Sequence, residues 1–336
     1  MKLFVIKSTI DVHLAMDLTK FFIDCKTNNE DALLIINCAS GSEGALEQVV
    51  SSYEASGVHL TAIGMGHVSD SASALFCMAD ERILLSGTVF VLNSYVKRYY
   101  EKTRISKDLF RRKCTNGPGW CPSEEEIKKY NITTRSSEEW IDIVAAALPK
   151  DGKNFSNVFS FSTGFDSSSA TNFILFLVKC KMYEKDALLF INSGGGNINQ
   201  LNAILTAYHD SRVHLIVIGT GLVASCAAGL FCMADERILV PRTKFLVHHS
   251  NHTYEKKTTI TFPITEISYE HSKKSEEVVI NAYCKKTGIS REVFERKCQN
   301  GKDWFLSDAE IQKYGITTRD SDGWLDILAN AMKKED

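Results

Sequence analysis

Ser225, His248 and an acid farther along, Asp303 or Asp308, have the types and order suited to nucleophilic catalysis. A serine hydroxyl attacks poorly until a base takes its proton, and the base works best when a third group orients it. Ser225 follows a turn of small residues, GTGLVA, and opens an apolar, Ala-rich run, CAAGLFCM. This pattern predicts a strand, a tight turn and a helix start, where exposed N–H groups and the helix dipole favour developing negative charge. His248 closes a strand-like segment, and KDWFLSDAE offers both Asp303 and Asp308 as the third member; spacing does not choose between them. Gly194–Gly195–Gly196 lies between an apolar run and a helical pattern. Glycine there admits close backbone approach, so the turn reads either as an oxyanion loop or as a plain strand-to-helix connection. It is not a nucleotide-phosphate loop, because no Lys-Ser/Thr follows and the GxGxxG spacing is absent.

The elements that must position these residues alternate between two periods. Val158–Phe161 and Ala187–Ile191 read as buried strands, and so do Leu215–Gly219, Arg237–Val240 and Lys244–Val247. Between them, Ser168–Lys181, Gln200–His209 and Ser225–Met233 carry apolar residues at helical spacing. Alternation of this kind predicts an α/β domain with mainly parallel strands.

The chain contains this domain pattern twice. A shift of 155 residues aligns 3–94 with 158–249 without a gap, and DALLIINCASG (Asp31–Gly41) falls on DALLFINSGGG (Asp186–Gly196). ALFCMADERIL (Ala74–Leu84) falls on GLFCMADERIL (Gly229–Leu239). Farther on the offset becomes 184, with WCPSEEEIKKYNITTR (Trp120–Arg135) on WFLSDAEIQKYGITTR (Trp304–Arg319), so the second copy carries 29 additional residues. These read as a strand, Thr258–Phe262, and a long helix from about Thr265 to Lys286. Two copies are too few for a solenoid, which leaves tandem domains, 1–148 and 158–336, joined by a linker at 149–157.

Composition narrows the class. The chain has 336 residues, enough for two domains with their own cores, and a formal net charge of −2, which gives no footprint for nucleic acid or an anionic membrane. No secretory signal or membrane span is expected: Lys7, Asp11 and His13 break the N-terminal apolar run, and Gly219 and Gly221 divide the most apolar stretch. The ten cysteines form no CxxC pair, and several recur at repeat-equivalent positions such as Cys77 and Cys232. They read as reduced core thiols of a cytoplasmic protein, with neither a disulfide framework nor a metal site.

Four stretches of the second copy resemble the proteolytic subunit of Clp protease (ClpP), in the ClpP/crotonase superfamily. FINSGGG resembles its oxyanion loop, GLVASCAAGLF its serine motif, PRTKFLVHHS its histidine motif and GKDWFLSDAEIQKYGI its aspartate motif. The resemblance implies two tandem ClpP/crotonase-like domains of repeated ββα units. It assigns Ser225 as nucleophile, His248 as general base and acid, and Asp303 as the orienting carboxylate. The backbone amides of Gly196 and Cys226 become the oxyanion hole. The 29 extra residues become the family's handle, present only in the second copy, with Lys256–Phe262 as a strand bordering the substrate groove. Departures fall at Gly194, where the family has Pro, in a shortened segment before Pro241, and at His249-Ser250 after the catalytic histidine.

In the first copy the corresponding positions hold Asp70, Asn93 and Gly119. The resemblance therefore implies an inactive partner fused to an ATP-dependent serine endopeptidase acting on peptides or unfolded proteins. It implies self-assembly into a ring-like oligomer, no cofactor and an AAA+ unfoldase as partner, although the leading segment that helps dock one is expected to be missing. The rival readings are a non-catalytic scaffold and, with no carboxylate pair to support it, a crotonase-type acyl-CoA enzyme.

Overall fold

The computed structural model describes residues 1–93, 100, 102–114, 119–150, 155–249 and 262–332. The chain divides into two compact units, Met1–Leu148 with Lys257–Glu270, and Pro149–Lys256 with His271–Asp336.

In the first unit, β1 (Lys2–Ile6), β2 (Ala32–Cys38), β3 (Leu60–Val68) and β4 (Glu81–Leu84) form a parallel sheet in that order, with β5 (Val89–Phe90) also on β3. All seven residues of β2 are buried, as expected of a parallel strand covered on both faces. Helices α1 (Val12–Thr27), α2 (Glu43–Ser56) and α3 (Ser71–Met78) connect the strands. Asp11 and Ser42 cap the first two by accepting from Leu14 and Ala45 N–H. A small antiparallel ladder pairs β6 (Leu92–Asn93) with β7 (Gly119–Trp120); α4 (Lys107–Lys113) falls between its strands in the chain, and α5 (Glu124–Lys129) and α6 (Trp140–Ala147) follow.

The second unit repeats this plan. Its strands are β8 (Val158–Phe161), β9 (Ala187–Ser193), β10 (Leu215–Ala224), β11 (Glu236–Leu239), β12 (Lys244–Val247) and β13 (Trp304–Phe305). Its helices are α7 (Ser167–Met182), α8 (Ile198–Ser211), α9 (Cys226–Met233), α10 (Phe262–Lys286) from His271 onward, α11 (Arg291–Lys297), α12 (Asp308–Lys313) and α13 (Trp324–Met332). The helices α1, α2 and α3 match α7, α8 and α9 at a shift of 155, and α4 and α5 match α11 and α12 at 184.

Two boundaries differ from the sequence expectation in an informative way. The third strand does not stop at Gly219: Gly221, at φ 60°, lets the backbone kink and continue to Ala224. The first half of β10 pairs with β11 and the second half with β12. In the extra segment, Phe262 opens α10 instead of closing a strand; the rest of the expected strand, from Lys256, lies outside the described residues. So do 151–154 of the expected linker.

The near-identical ADERIL stretch is framework. Asp80 accepts from Leu60 N–H at 2.9 Å and from Tyr53 Oη at 2.8 Å; Asp235 does the same with Leu215 N–H and Tyr208 Oη. The Arg82 guanidinium is buried and donates to four carbonyls, those of Ala79, Lys102, Asn131 and Ile132. Arg237 repeats the pattern with Ala234, Cys232, Lys286, Gly315 and Ile316. A buried guanidinium is stable only when its donors are satisfied, and here carbonyls at the ends of helices and turns satisfy them. Phe76 and Phe231 fill the core beside these clips, edge-on to Phe90 and Phe245. Truncating either to Ala costs about 3–5 kcal/mol.

Candidate active site

Ser225 lies at a sharp corner between β10 and α9, at φ 55°, ψ −122°. This is the conformation of the first central residue of a type II′ turn, where glycine is the usual occupant. A serine there is strained by about 1–3 kcal/mol, and such strain persists where the surrounding fold over-determines it. The fixing contacts are visible. Ser225 N–H donates to Leu246 O of β12 at 3.1 Å, and Ser225 O accepts from Gly229 N–H at 3.0 Å and Tyr283 Oη at 3.4 Å. The tyrosine contact has no sequence signal, because Tyr283 arrives on α10 from 58 residues away.

The neighbouring strands supply the other two side chains. Ala224 pairs with Leu246 in the parallel β10–β12 register, and Val247 pairs with Trp304 in the antiparallel β12–β13 register. His248 and Asp303 are the next residues along that second pairing, facing each other just beyond the ladder. Asp303 Oδ1 stands 3.7 Å from His248 Nδ1. That is ion-pair distance, and Nδ1 is buried with no hydrogen bond among the described residues. The histidine side chain is 17% exposed and the aspartate 52%. Asp308, the other candidate from spacing, begins α12 instead.

The glycine loop packs directly on the serine corner. Gly195 has φ 96° and Gly196 φ 152°, and a β-carbon on Gly195 would come 2.7 Å from Ser225 Cβ and 2.9 Å from Cys226 N. One on Gly196 would meet the Phe165 backbone at 2.5 Å, so both positions need glycine for space as well as for φ. The Cys226 thiol donates to Gly196 O at 3.2 Å and ties the loop to the first turn of α9. Burial pushes that thiol up to about 11, so it stays protonated and able to donate. Backbone N–H groups at such a junction suit a developing oxyanion.

The first unit keeps the corner and changes its occupants. Asp70 sits at φ 57°, ψ −133°, nearly the Ser225 conformation. Asn93 pairs with Gly119 in the β6–β7 ladder, the positions of His248 and Asp303 under the repeat. Burial pushes the Asp70 carboxyl up, and the backbone N–H groups of Gly41 and Ser71 oppose that shift by hydrogen-bonding the carboxylate. Under the 155 shift these two amides are those of Gly196 and Cys226. In the first unit these amides lessen, without cancelling, the cost that burial puts on the Asp70 charge.

The Clp protease family model matches residues 138–319. ATP-dependent Clp protease proteolytic subunit 2 of Borreliella burgdorferi is 26% identical over 144 residues, covering 42% of this chain and 70% of the relative. Proteolytic subunit 3 of Rhizobium etli is 27% identical over 139 residues, covering 40% of this chain and 68% of the relative. A solved ClpP1 mutant from Listeria monocytogenes is 22% identical with a TM-score of 0.42, covering 49% of this chain and 90% of that one. The matched stretch spans more than half of the sequence and contains the serine corner, the glycine loop and the β12–β13 ladder; the chain belongs to the Clp protease family.

Proposed function

We propose that the second unit is a serine endopeptidase in which Ser225 attacks the scissile carbonyl, His248 takes the serine proton and Asp303 orients the imidazole. The N–H groups of Gly196 and Cys226 receive the oxyanion, each contributing a few kcal/mol if aimed at the developing charge. His248 then gives its proton to the leaving amine, and water releases the acyl group by the reverse route. The observation that carries this reading is the register of β10, β12 and β13, which supports Ser225, His248 and Asp303 as neighbours at three adjacent strand ends. The first unit, 1–148, is read as a catalytically inactive structural partner, since Asp70, Asn93 and Gly119 provide neither nucleophile nor base. By family resemblance the fused pair takes two adjacent places in a ring-like oligomer; a monodisperse monomer in native mass measurements would sink that part. Relatives are named ATP-dependent proteolytic subunits, and an AAA+ unfoldase is carried over as partner on that ground alone.

Labelling with a fluorophosphonate probe, read by intact mass on oligomer-checked protein, tests the chemistry. Wild type is expected to gain one adduct on Ser225 and Ser225→Ala none; equal labelling of the two rejects the peptidase. The 3.7 Å separation of His248 and Asp303 favours a second reading, a scaffold whose triad rests incompletely closed. Absence of labelling in every assembled form would select it.

A further inference from the structure

We propose that His249 is a positioning residue for the candidate active site: it clasps α10 and α11 to the end of β12 and so fixes the backbone that presents His248. This rests on the peptidase reading above. His249 is where the histidine motif departs from the family pattern, and nothing in the triad chemistry uses it. Its Nδ1 lies 3.1 Å from Glu276 Oε1 on α10, and its Nε2 lies 3.2 Å from Glu295 Oε2 on α11. The ring therefore donates to two carboxylates on two different helices when both nitrogens carry protons. Its edge packs on Phe294 with ring centroids 5.0 Å apart at 76°, and Phe294 stacks on Tyr283, whose hydroxyl reaches Ser225 O.

The residue on the other side of His248 is held by the same helix. Val247 O accepts from the buried Cys298 thiol of α11 at 3.7 Å. Positions 247 and 249 are thus both tied to α11, and the backbone of His248 lies between two anchored neighbours. Arg291 completes the cluster, with Nη1 3.7 Å from Glu295 Oε1 and Nη2 2.8 Å from Glu277 Oε2. In the first unit the position of Glu295 is Arg111, of the wrong charge for such a clasp, and that unit also lacks the triad. Catalysis depends on sub-ångström placement of the base, and His248 Nδ1 faces an aspartate with no hydrogen bond to it among the described residues. The clasp supplies from the backbone a restraint that Nδ1 does not provide.

The test uses the full chain carrying His249→Ala, His249→Arg or Glu295→Arg, hydrolysing a short fluorogenic peptide, with amide hydrogen exchange measured over 244–249. His249→Ala and Glu295→Arg are expected to lower kcat about 10- to 100-fold with KM within about twofold, and to speed exchange at 248–249. His249→Arg keeps a multidentate cation between the two carboxylates and is expected to recover most of the kcat. The proposal is overturned by kcat within about twofold of wild type in His249→Ala, by a rise in KM at unchanged kcat, or by equal loss in the Ala and Arg variants. If wild type itself neither hydrolyses nor labels at Ser225, the peptidase reading fails separately. Exchange alone then decides the clasp: acceleration in His249→Ala upholds it and unchanged exchange removes it.

Discussion

Asp70 and Ser225 occupy the same strained corner of two units built on one plan; the backbone of the corner is retained, while its side chains and two of the three loop glycines are exchanged. The positive φ, the amide pair and the ladder beyond survive in both. In the first unit two amides act on the Asp70 carboxylate; in the second the corresponding amides are those of Gly196 and Cys226, at the Ser225 corner. A strained backbone and a polarised amide pair therefore belong to the fold, and the outlier at residue 70 would mislead anyone who took strain alone as a mark of catalysis. Side chains at three positions, together with the helices that steady them, separate the two.

The comparison breaks first, and most visibly, at the nucleophile. Ser225→Ala should lower kcat roughly 10⁴- to 10⁶-fold, whereas Asp70→Ala should leave peptide hydrolysis within about twofold. Asp70→Ser should remain unlabelled at residue 70, because Asn93 cannot act as a base; an adduct there would mean that the first unit retains chemistry.

The carbonyl clips are shared, so their loss should be felt in either unit. Arg82→Met and Arg237→Met leave several buried carbonyls without donors, and each should cost about 3–5 kcal/mol. Calorimetry should show the lower transition moving with one variant and the higher with the other; a single transition shifted equally by both would mean that the units unfold as one.

Smaller effects should appear in the capping boxes before α5 and α12. Lys297, above all, and Ser307 N–H hold the Glu310 carboxyl down at about 2. Glu126 is also lowered: burial opposes this most, but bonds from Lys113, Ser123 N–H and Trp120 together outweigh it. A depressed carboxyl contributes stability above its unfolded value of 4.5 and loses it as pH falls toward 2. Denaturation from pH 7 down to 2 should show that loss in wild type. Glu310→Gln should remove about 1 kcal/mol at pH 7, with solvent screening allowed for, and flatten the fall. The least effect is expected at Asp70, whose pKa is raised: its charge opposes folding above the raised pKa, and the penalty is relieved as pH falls through that value toward 3.8. Asp70→Asn should therefore be slightly more stable than wild type at neutral pH and lose that advantage in acid; the reverse order would show that the amide pair stabilises the carboxylate more than burial opposes it.

Much of the fold was legible because the duplication acts as an internal alignment. Helices α7 and α8 extend by one or two residues beyond their expected ends, and β12 has the expected Lys244–Val247. The strand that runs past Gly219 was not legible, since a glycine reads as a stop until the kink at Gly221 is seen to carry pairing from β11 to β12. At the candidate site, motif order led to Ser225, His248 and Asp303, and the ladder explains why Asp303 and not Asp308 faces the histidine. Sequence could not show the amides that act on Asp70 or the His249 cluster. Both depend on groups brought together from 27 or more residues apart, with no periodicity linking them.

The arginine clips also bear on the order in which the chain is completed. Arg82 bonds to Ile132 O across 50 residues, and Arg237 bonds to Ile316 O across 79, because the 29 additional residues lie inside the second loop. The longer closure adds only about 0.4 kcal/mol of entropy, so stability scarcely distinguishes the two. Synthesis does: the Arg82 clip can close while residues beyond the linker are still unmade, whereas the Arg237 clip cannot form until position 316 emerges. A nascent chain arrested between these points has every carbonyl that the Arg82 clip uses and still lacks Gly315 and Ile316, which complete the Arg237 clip.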